Sequence, residues 1–191
     1  MDENRRILLG ASAALAAAAL ASELAWAETP VFDPIPDLPK TPKPGRPGDF
    51  GFLTGEWRIK NHSLVQGAWL AYEGEATVHS LLDGLSSVEE LRIPARKFSG
   101  MGLRLLDVTT QVWSDFWVNA RSGALTMPGQ TGSFENGAGV FSSTFEENGR
   151  PMTSIGVWDQ ITPTSCRWRQ AVSGDGGATW AQNWIMVWRR A

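Results

Sequence analysis

From Gly55 onward the chain alternates. Trp57, Ile59, Asn61 and Ser63 occupy one parity, while Arg58, Lys60, His62 and Leu64 occupy the other. A period of two over this length predicts a strand with unlike faces. The same alternation, interrupted at close intervals, predicts further strands near 68–81, 86–93, 101–107, 112–119, 132–135, 138–145, 152–161, 165–173 and 181–190, after a first at 55–64. Asn136-Gly137 and Asn148-Gly149 fall between apolar runs and mark hairpins, because both residue types tolerate positive φ. Asp83-Gly84, Ser122-Gly123 and Gly176-Gly177 supply other turns. No segment of this region keeps a helical period. About ten short strands in so short a stretch predict an all-β fold, a single antiparallel up-and-down barrel, since closure removes exposed edges. A sandwich is the alternative.

The residues before this region follow other rules. Residues 1–27 read as a signal peptide. Arg5-Arg6 precede Ile7-Leu8-Leu9 and an Ala-rich run, and Ala25-Trp26-Ala27 fits the small-x-small cleavage pattern. The apolar run is too short for a stable membrane span. Twin arginines resemble a Tat signal, although Asn4 and Gly10 depart from that pattern and leave Sec export open. Cleavage after Ala27 leads to a periplasmic or secreted protein. Residues 28–48 hold Pro30, Pro34, Pro36, Pro39, Pro42, Pro44 and Pro47. They read as an extended linker that cannot complete a ladder. Residues 49–191 form the barrel domain, a monomer or homodimer.

Composition narrows the function classes. Net charge is −3; the signal region carries Asp2, Glu3 and Glu23 against Arg5 and Arg6, which leaves −2 for the rest. No basic excess suits nucleic acid. Cys166 is the only cysteine, so neither an intramolecular disulfide nor a cysteine zinc site is available. Ten tryptophans against one tyrosine is unusual, and many sit at alternating strand positions. Tryptophan suits strands and buries a large area with a single polar N–H.

Candidate chemistry is sparse, and no catalytic motif stands out. His62 and His79 lie on the first two strands; if they faced each other they would suit a metal or haem, but no Asp/Glu/His cluster completes such a site. No metal and no cofactor is therefore expected. Asp107, Asp115 and Asp159 follow or interrupt apolar runs and suit turns. In Val88-Glu89-Glu90-Leu91 one glutamate must share a face with core residues; we take Glu90. Arg104 lies within an apolar run, Trp117, Asn119 and Arg121 share a parity, and so do Trp168 and Gln170. Enclosed polar groups need partners or water, and an aromatic cavity with a few polar anchors is what a small-molecule site requires. Glu90 with Arg104 would equally make an internal ion pair of structural value only. Ser173-Gly174-Asp175-Gly176-Gly177-Ala178-Thr179-Trp180 matches the Asp-box of sialidases at each fixed position. One copy in so short a domain reads as a structural hairpin before the last strand.

The aromatic cluster Phe50, Phe52 and Leu53, with Gly55 two residues before Trp57, resembles the opening of lipocalin-type (calycin) barrels. That resemblance implies that Trp57 plugs one end and that an arginine of the last strand, Arg190, covers its ring. The run from Phe50 to Arg190 also resembles an uncharacterised bacterial domain-of-unknown-function family. It shares Phe52-Leu53-Thr54-Gly55-Glu56-Trp57, Leu103-Arg104-Leu105-Leu106-Asp107, Trp113 to Trp117 followed by Arg121 to Leu125, Phe134 to Gly137, Gly149 to Pro151, Ile161 to Ala171, Asp175 to Trp180 and Asn183 to Met186. It departs at Lys60-Asn61-His62-Ser63 and at Leu106. The resemblance implies a lipocalin-like barrel and no activity. Nitrobindin, a haem barrel, is more distant in shape; its haem ligand is a late histidine, and this chain has none after His79. The first expectation is an exported barrel that binds a small, mostly apolar ligand. The alternatives are a cofactor-independent isomerase or hydrolase using Glu90, Arg104 and Asn119, and an envelope structural protein with a filled core.

Overall fold

In the computed structural model, which describes residues 32–39 and 41–191, every predicted strand forms. They are β1 (Gly55–Val65), β2 (Ala68–Leu81), β3 (Ser86–Ile93), β4 (Phe98–Asp107), β5 (Val112–Asn119), β6 (Gln130–Glu135), β7 (Ala138–Glu147), β8 (Arg150–Asp159), β9 (Ser165–Ser173) and β10 (Ala181–Arg190). β4 begins at Phe98 rather than 101, and β8 covers 150–159 rather than 152–161. Each strand pairs antiparallel with its neighbours and β10 returns to β1, closing a single ten-strand barrel of the calycin type. The signal-peptide reading of residues 1–27, and its twin arginine, lie outside the described residues.

The ladders fix which parity faces inward. Trp57 pairs with Arg190 on one side and Ala76 on the other, Ala76 with Leu91, and Leu91 with Gly100. Farther round, Leu106 pairs with Trp113, Trp113 with Gly132, and Gly132 with Phe141. These residues continue the inward row that the Trp57 alternation starts.

One end is sealed by aromatic packing. The 3-10 turn Gly51–Leu53 carries Leu53 and, just before it, Phe50 into the barrel, both buried. Phe50 lies 5.0 Å from Trp113, 4.9 Å from Phe134 and 5.4 Å from Phe141, centroid to centroid. Trp57 is buried, meets Trp188 edge-on at 5.9 Å, and donates its indole N–H to the Leu53 carbonyl at 2.6 Å. The Arg190 guanidinium sits 3.9 Å above the Trp57 ring. It donates to the carbonyls of Phe52 (2.8 Å), Pro163 (3.4 Å) and Thr54. Gly55 makes room: its φ is +122°, and a Cβ there would stand 2.6 Å from Arg190 Nη1.

The proline-rich segment, expected to be a spacer, touches the barrel. Ile35 and Leu38 join Val140 and Trp180 over the outer faces of Ile155, Val157 and Ala171. Arg169 donates to the Pro34 carbonyl at 3.2 Å, the Lys43 N–H to Ser133 Oγ at 2.9 Å, and the Gly45 N–H to the Gln111 carbonyl at 2.7 Å. Among the described residues of this segment none joins a ladder, as its prolines dictate, while the residues between them supply the apolar side chains and the donors.

The Asp-box is the β9–β10 turn. Asp175 accepts from the Thr179 N–H and hydroxyl (2.9 and 2.6 Å) and from the Ser173 hydroxyl (2.7 Å), which holds its carboxyl down at about 2. Its Trp180 belongs to the outer cluster.

Candidate ligand chamber

Above the sealed end, glycines on the inward row leave space. A Cβ at Gly100 would overlap the Trp117 indole, and one at Gly156 would stand 2.8 Å from Gln130 Oε1 and 3.2 Å from Trp168 Nε1. Large rings therefore lie across small residues and leave a chamber of about 290 Å³ between them. Its walls include Trp117, Trp158, Trp168 and Trp184. Trp168 and Trp184 meet at 5.5 Å and 90°, Trp117 and Trp184 at 6.5 Å and 88°, and Trp158 and Trp168 at 6.4 Å and 54°. The β5–β6 ladder ends at the pair Asp115–Gln130. Beyond it the wall is completed by the segment joining the two strands, through Thr126, Met127 and Pro128.

The chamber's polar groups gather where β3, β4 and β5 meet. Glu89 accepts a 2.5 Å hydrogen bond from Arg104 Nη2, and Asp115 Oδ1 is 3.4 Å from Arg104 Nε. Both Glu89 and Arg104 are buried. The guanidinium carbon lies 5.3 Å from the Trp158 ring centre and 5.4 Å from that of Phe50. Arg104 Nε and Nη1 have no hydrogen-bond partner among the described residues. Burial alone would lower the Arg104 pKa, but the Asp115 and Glu89 carboxylates reverse that and hold it above the usual range. Burial pushes the Asp115 carboxyl up to about 6; Arg104 pulls it down and Glu89 pushes it up again. Such a carboxyl titrates within reach of neutral pH and can hold or release a proton there. Neutral polar groups complete the lining: Gln130 donates to Ser154 Oγ at 2.9 Å, and Gln170 donates to Asn183 Oδ1 at 3.1 Å.

Of the residues singled out in the sequence, Arg104, Trp117, Trp168 and Gln170 come together around this chamber. Glu90 does not. It lies on the outer surface, bound to Arg92 at 2.9 Å, and Glu89 is the glutamate that faces in. The inward row on β3 is set by Leu91 and Ile93, which are fully buried, and Glu89 shares their parity. Asn119 is on the inward parity, but its Oδ1 accepts the Arg121 N–H at 2.9 Å and serves the turn. Arg121 is exposed, with its guanidinium 5.7 Å from the Phe98 ring. Asp115, assigned to a turn from sequence, is mid-strand and faces in; the signal was its shared parity with Trp113 and Trp117.

The histidines do not form a pair. β1 and β2 do pair, but His62 stands opposite Ala71, while Gly55 stands opposite Val78. From position 71 to 79 the strand runs roughly 26 Å. His62 is buried on the outer parity, where burial and then Lys60 lower its pKa. Among the described residues no group of three or more His, Cys, Asp and Glu side chains is placed to hold a metal ion, and no helix is long and apolar enough to cross a membrane. Cys166 is buried, and burial pushes its thiol up to about 12, which makes it a packing residue.

No protein-family model matches the chain, and no curated protein matches it. Among solved structures it is similar to a protein of unknown function of the DUF3598 family from Nostoc punctiforme PCC 73102, with 13% identity and a TM-score of 0.44. The match covers 81% of this chain and 53% of that one, so the chain spans about half the length of that protein.

Proposed function

We propose that this is an exported barrel that binds a small, mostly apolar molecule between its tryptophans. The observation that carries the reading is the chamber itself, about 290 Å³ walled by Trp117, Trp158, Trp168 and Trp184 with few polar groups. That volume equals roughly ten waters and stands at the small end of ligand pockets. A chamber of this size between the side chains argues against the envelope role with a filled core. Native mass spectrometry of the protein taken from its own host is the test. A recurrent bound mass, lost on substituting Trp168, supports the reading; a bare chain, with no quenching of tryptophan fluorescence by small apolar probes, overturns it.

One observation favours a second reading, a cofactor-independent isomerase or hydrolase. Asp115, rather than Glu90 or Asn119, has the protonation range of a general acid or base and opens on the chamber. Turnover that follows a single ionisation near pH 6 and disappears in Asp115→Asn would establish it. Export rests on Arg5-Arg6 and Ala25-Trp26-Ala27 alone. Changing both arginines to lysine should hold unprocessed precursor in the cytoplasm if the route is Tat; normal processing would assign it to Sec.

A further inference from the structure

The chamber has more negative charge than it neutralises. Glu89 and Asp115 face a single arginine, Arg104. Arg104 Nη2 is committed to Glu89 at 2.5 Å, whereas Asp115 has only the 3.4 Å approach of Nε. The Asp115 side chain is 15% exposed and Glu89 only 2%, so the surplus carboxylate is the one that opens on the chamber. Its raised pKa is what a carboxylate short of counter-charge shows in a dry setting.

The rings around it suit a cation. Trp168 and Trp117 each stand near perpendicular to Trp184. Trp184 thus meets two indoles at right angles, and an indole face attracts positive charge through its quadrupole, most strongly where water is excluded. A second, independent sign of a ligand is Arg104 itself. Its side chain is 5% exposed and lines the chamber, yet Nη1 has no acceptor and Nε has only the long 3.4 Å approach of Asp115. Buried donors of this kind are costly unless something fills the role. A carboxylate ligand would satisfy them, but it would bring a further negative charge beside Glu89 and Asp115. An uncharged oxygen satisfies them without that cost.

Arginines at a neighbouring recess do not reverse the balance. Arg96 lies 3.6 Å from the Tyr72 ring centre and Arg121 lies 5.7 Å from that of Phe98, both exposed, where water and salt screen them.

We infer that the chamber takes a small organic cation, a methylated or otherwise alkylated ammonium bearing a hydroxyl or carbonyl oxygen, with Asp115 as counter-ion and the tryptophans as its walls. This inference rests on the proposal that the chamber binds a small molecule, and it replaces "mostly apolar" by a named charge.

Three probes of matched shape separate the two. Choline carries the cation and a hydroxyl, 3,3-dimethylbutan-1-ol is its uncharged carbon isostere, and 3,3-dimethylbutanoate is an anion of similar bulk. Binding to the full chain is followed by calorimetry and tryptophan fluorescence at neutral pH. Choline should bind at least about tenfold more tightly than the alcohol, and the butanoate should be the weakest. In Asp115→Asn, checked for folding by near-ultraviolet circular dichroism, the choline-to-alcohol ratio should fall to about one. If the alcohol binds as well as choline, or the butanoate binds best, the cation inference fails while the chamber remains a ligand site. If the ratio persists in Asp115→Asn, Asp115 is not the counter-ion and the inference fails. If none of the three binds, the cation inference fails, and native mass spectrometry of the host-derived protein decides the small-molecule reading.

Discussion

Among the described residues, one arginine lies over a tryptophan ring at the sealed end and another in the chamber, and their surroundings differ. Arg190, 3.9 Å above Trp57, has three backbone carbonyls as acceptors, from Phe52, Thr54 and Pro163. Arg104, 5.3 Å from Trp158, is more deeply buried, is flanked by two carboxylates, and has one nitrogen, Nη1, without an acceptor and another, Nε, that makes only a 3.4 Å ion contact with Asp115. The first is a closed structural joint whose bonding is complete within the chain. The second is an open arrangement in which charge and hydrogen bonding both stop short of balance. Aromatic stacking alone does not distinguish a clasp from a site; the completeness of the polar partners does.

The largest expected effects lie one on each side of that contrast. Trp57→Ala should cost about 3–5 kcal/mol, the range for a large buried aromatic, and Arg104→Met a similar amount, about 3–5 kcal/mol, because it strands a buried carboxylate. The two diverge on repair. Adding Glu89→Gln to Arg104→Met should recover much of the loss, whereas no polar change repairs Trp57→Ala. Urea melts of the three variants check this. If the double variant is no better than Arg104→Met, the Glu89 pair is not what Arg104 stabilises.

Next in size is Asp115→Asn, which should stabilise the protein. The folded-state pKa of Asp115 is raised to about 6 from 3.8. Between those values the folded chain holds a proton that the unfolded chain has released, so this group's contribution falls as pH rises from about 4 to about 6 and stays low above that. The deficit at pH 7 is on the order of 2–3 kcal/mol, and the Asn variant should lack it. His62 acts in the opposite direction: its lowered pKa makes acidification below about 6.5 unfavourable. The difference between wild type and Asp115→Asn across pH 4–7 cancels the His62 term. A flat difference would show that Asp115 is not strained by its setting.

Arg190→Ala should cost less, on the order of 1–2 kcal/mol, through lost stacking and cover. It should be non-additive with Trp57→Ala in a double-mutant cycle, while Arg189→Ala, whose residue is exposed, should be near neutral. Strict additivity would separate the two residues that the closed end joins. The smallest change is Gly45→Ala. A Cβ there would overlap the Trp113 indole and stand 3.0 Å from Leu106 Cδ1, for a loss of about 1 kcal/mol. A neutral result would mean that the proline-rich segment rests only loosely on the barrel.

The strands were legible because alternation survives in nearly every one, and because Asn136-Gly137 and Asn148-Gly149 punctuate it. The site was half legible. Arg104, Trp117 and Trp168 were found by parity within apolar runs. Glu89 was passed over for Glu90 because Val88 and Leu91 are apolar on opposite parities, so β3 alone does not say which face is inner. Only the register with β4 decides, where Glu89 stands opposite Gly102 and leaves room for the Arg104 side chain. Asp115 was lost because a single aspartate in an apolar run looks like a break, and its burial depends on Arg104 across the ladder. The docking of the proline-rich segment was not legible either: proline spacing forbids ladders, but Ile35 and Leu38 find their partners only on the finished outer wall.

The strand order has a kinetic consequence. Every pairing except β1 with β10 joins neighbours along the chain, so most of the sheet can be built as successive hairpins with short loops to close. The last ladder instead joins Trp57 to Arg190 across almost the whole domain, and its loop-closure entropy must be met before it returns any stability. During synthesis β10 emerges last, and until it does β1 and β9 remain open edges able to pair with another chain. The Trp57–Arg190 joint is thus the latch of the final step. Weakening it should lengthen the lifetime of an open, aggregation-prone sheet more than its modest equilibrium cost suggests.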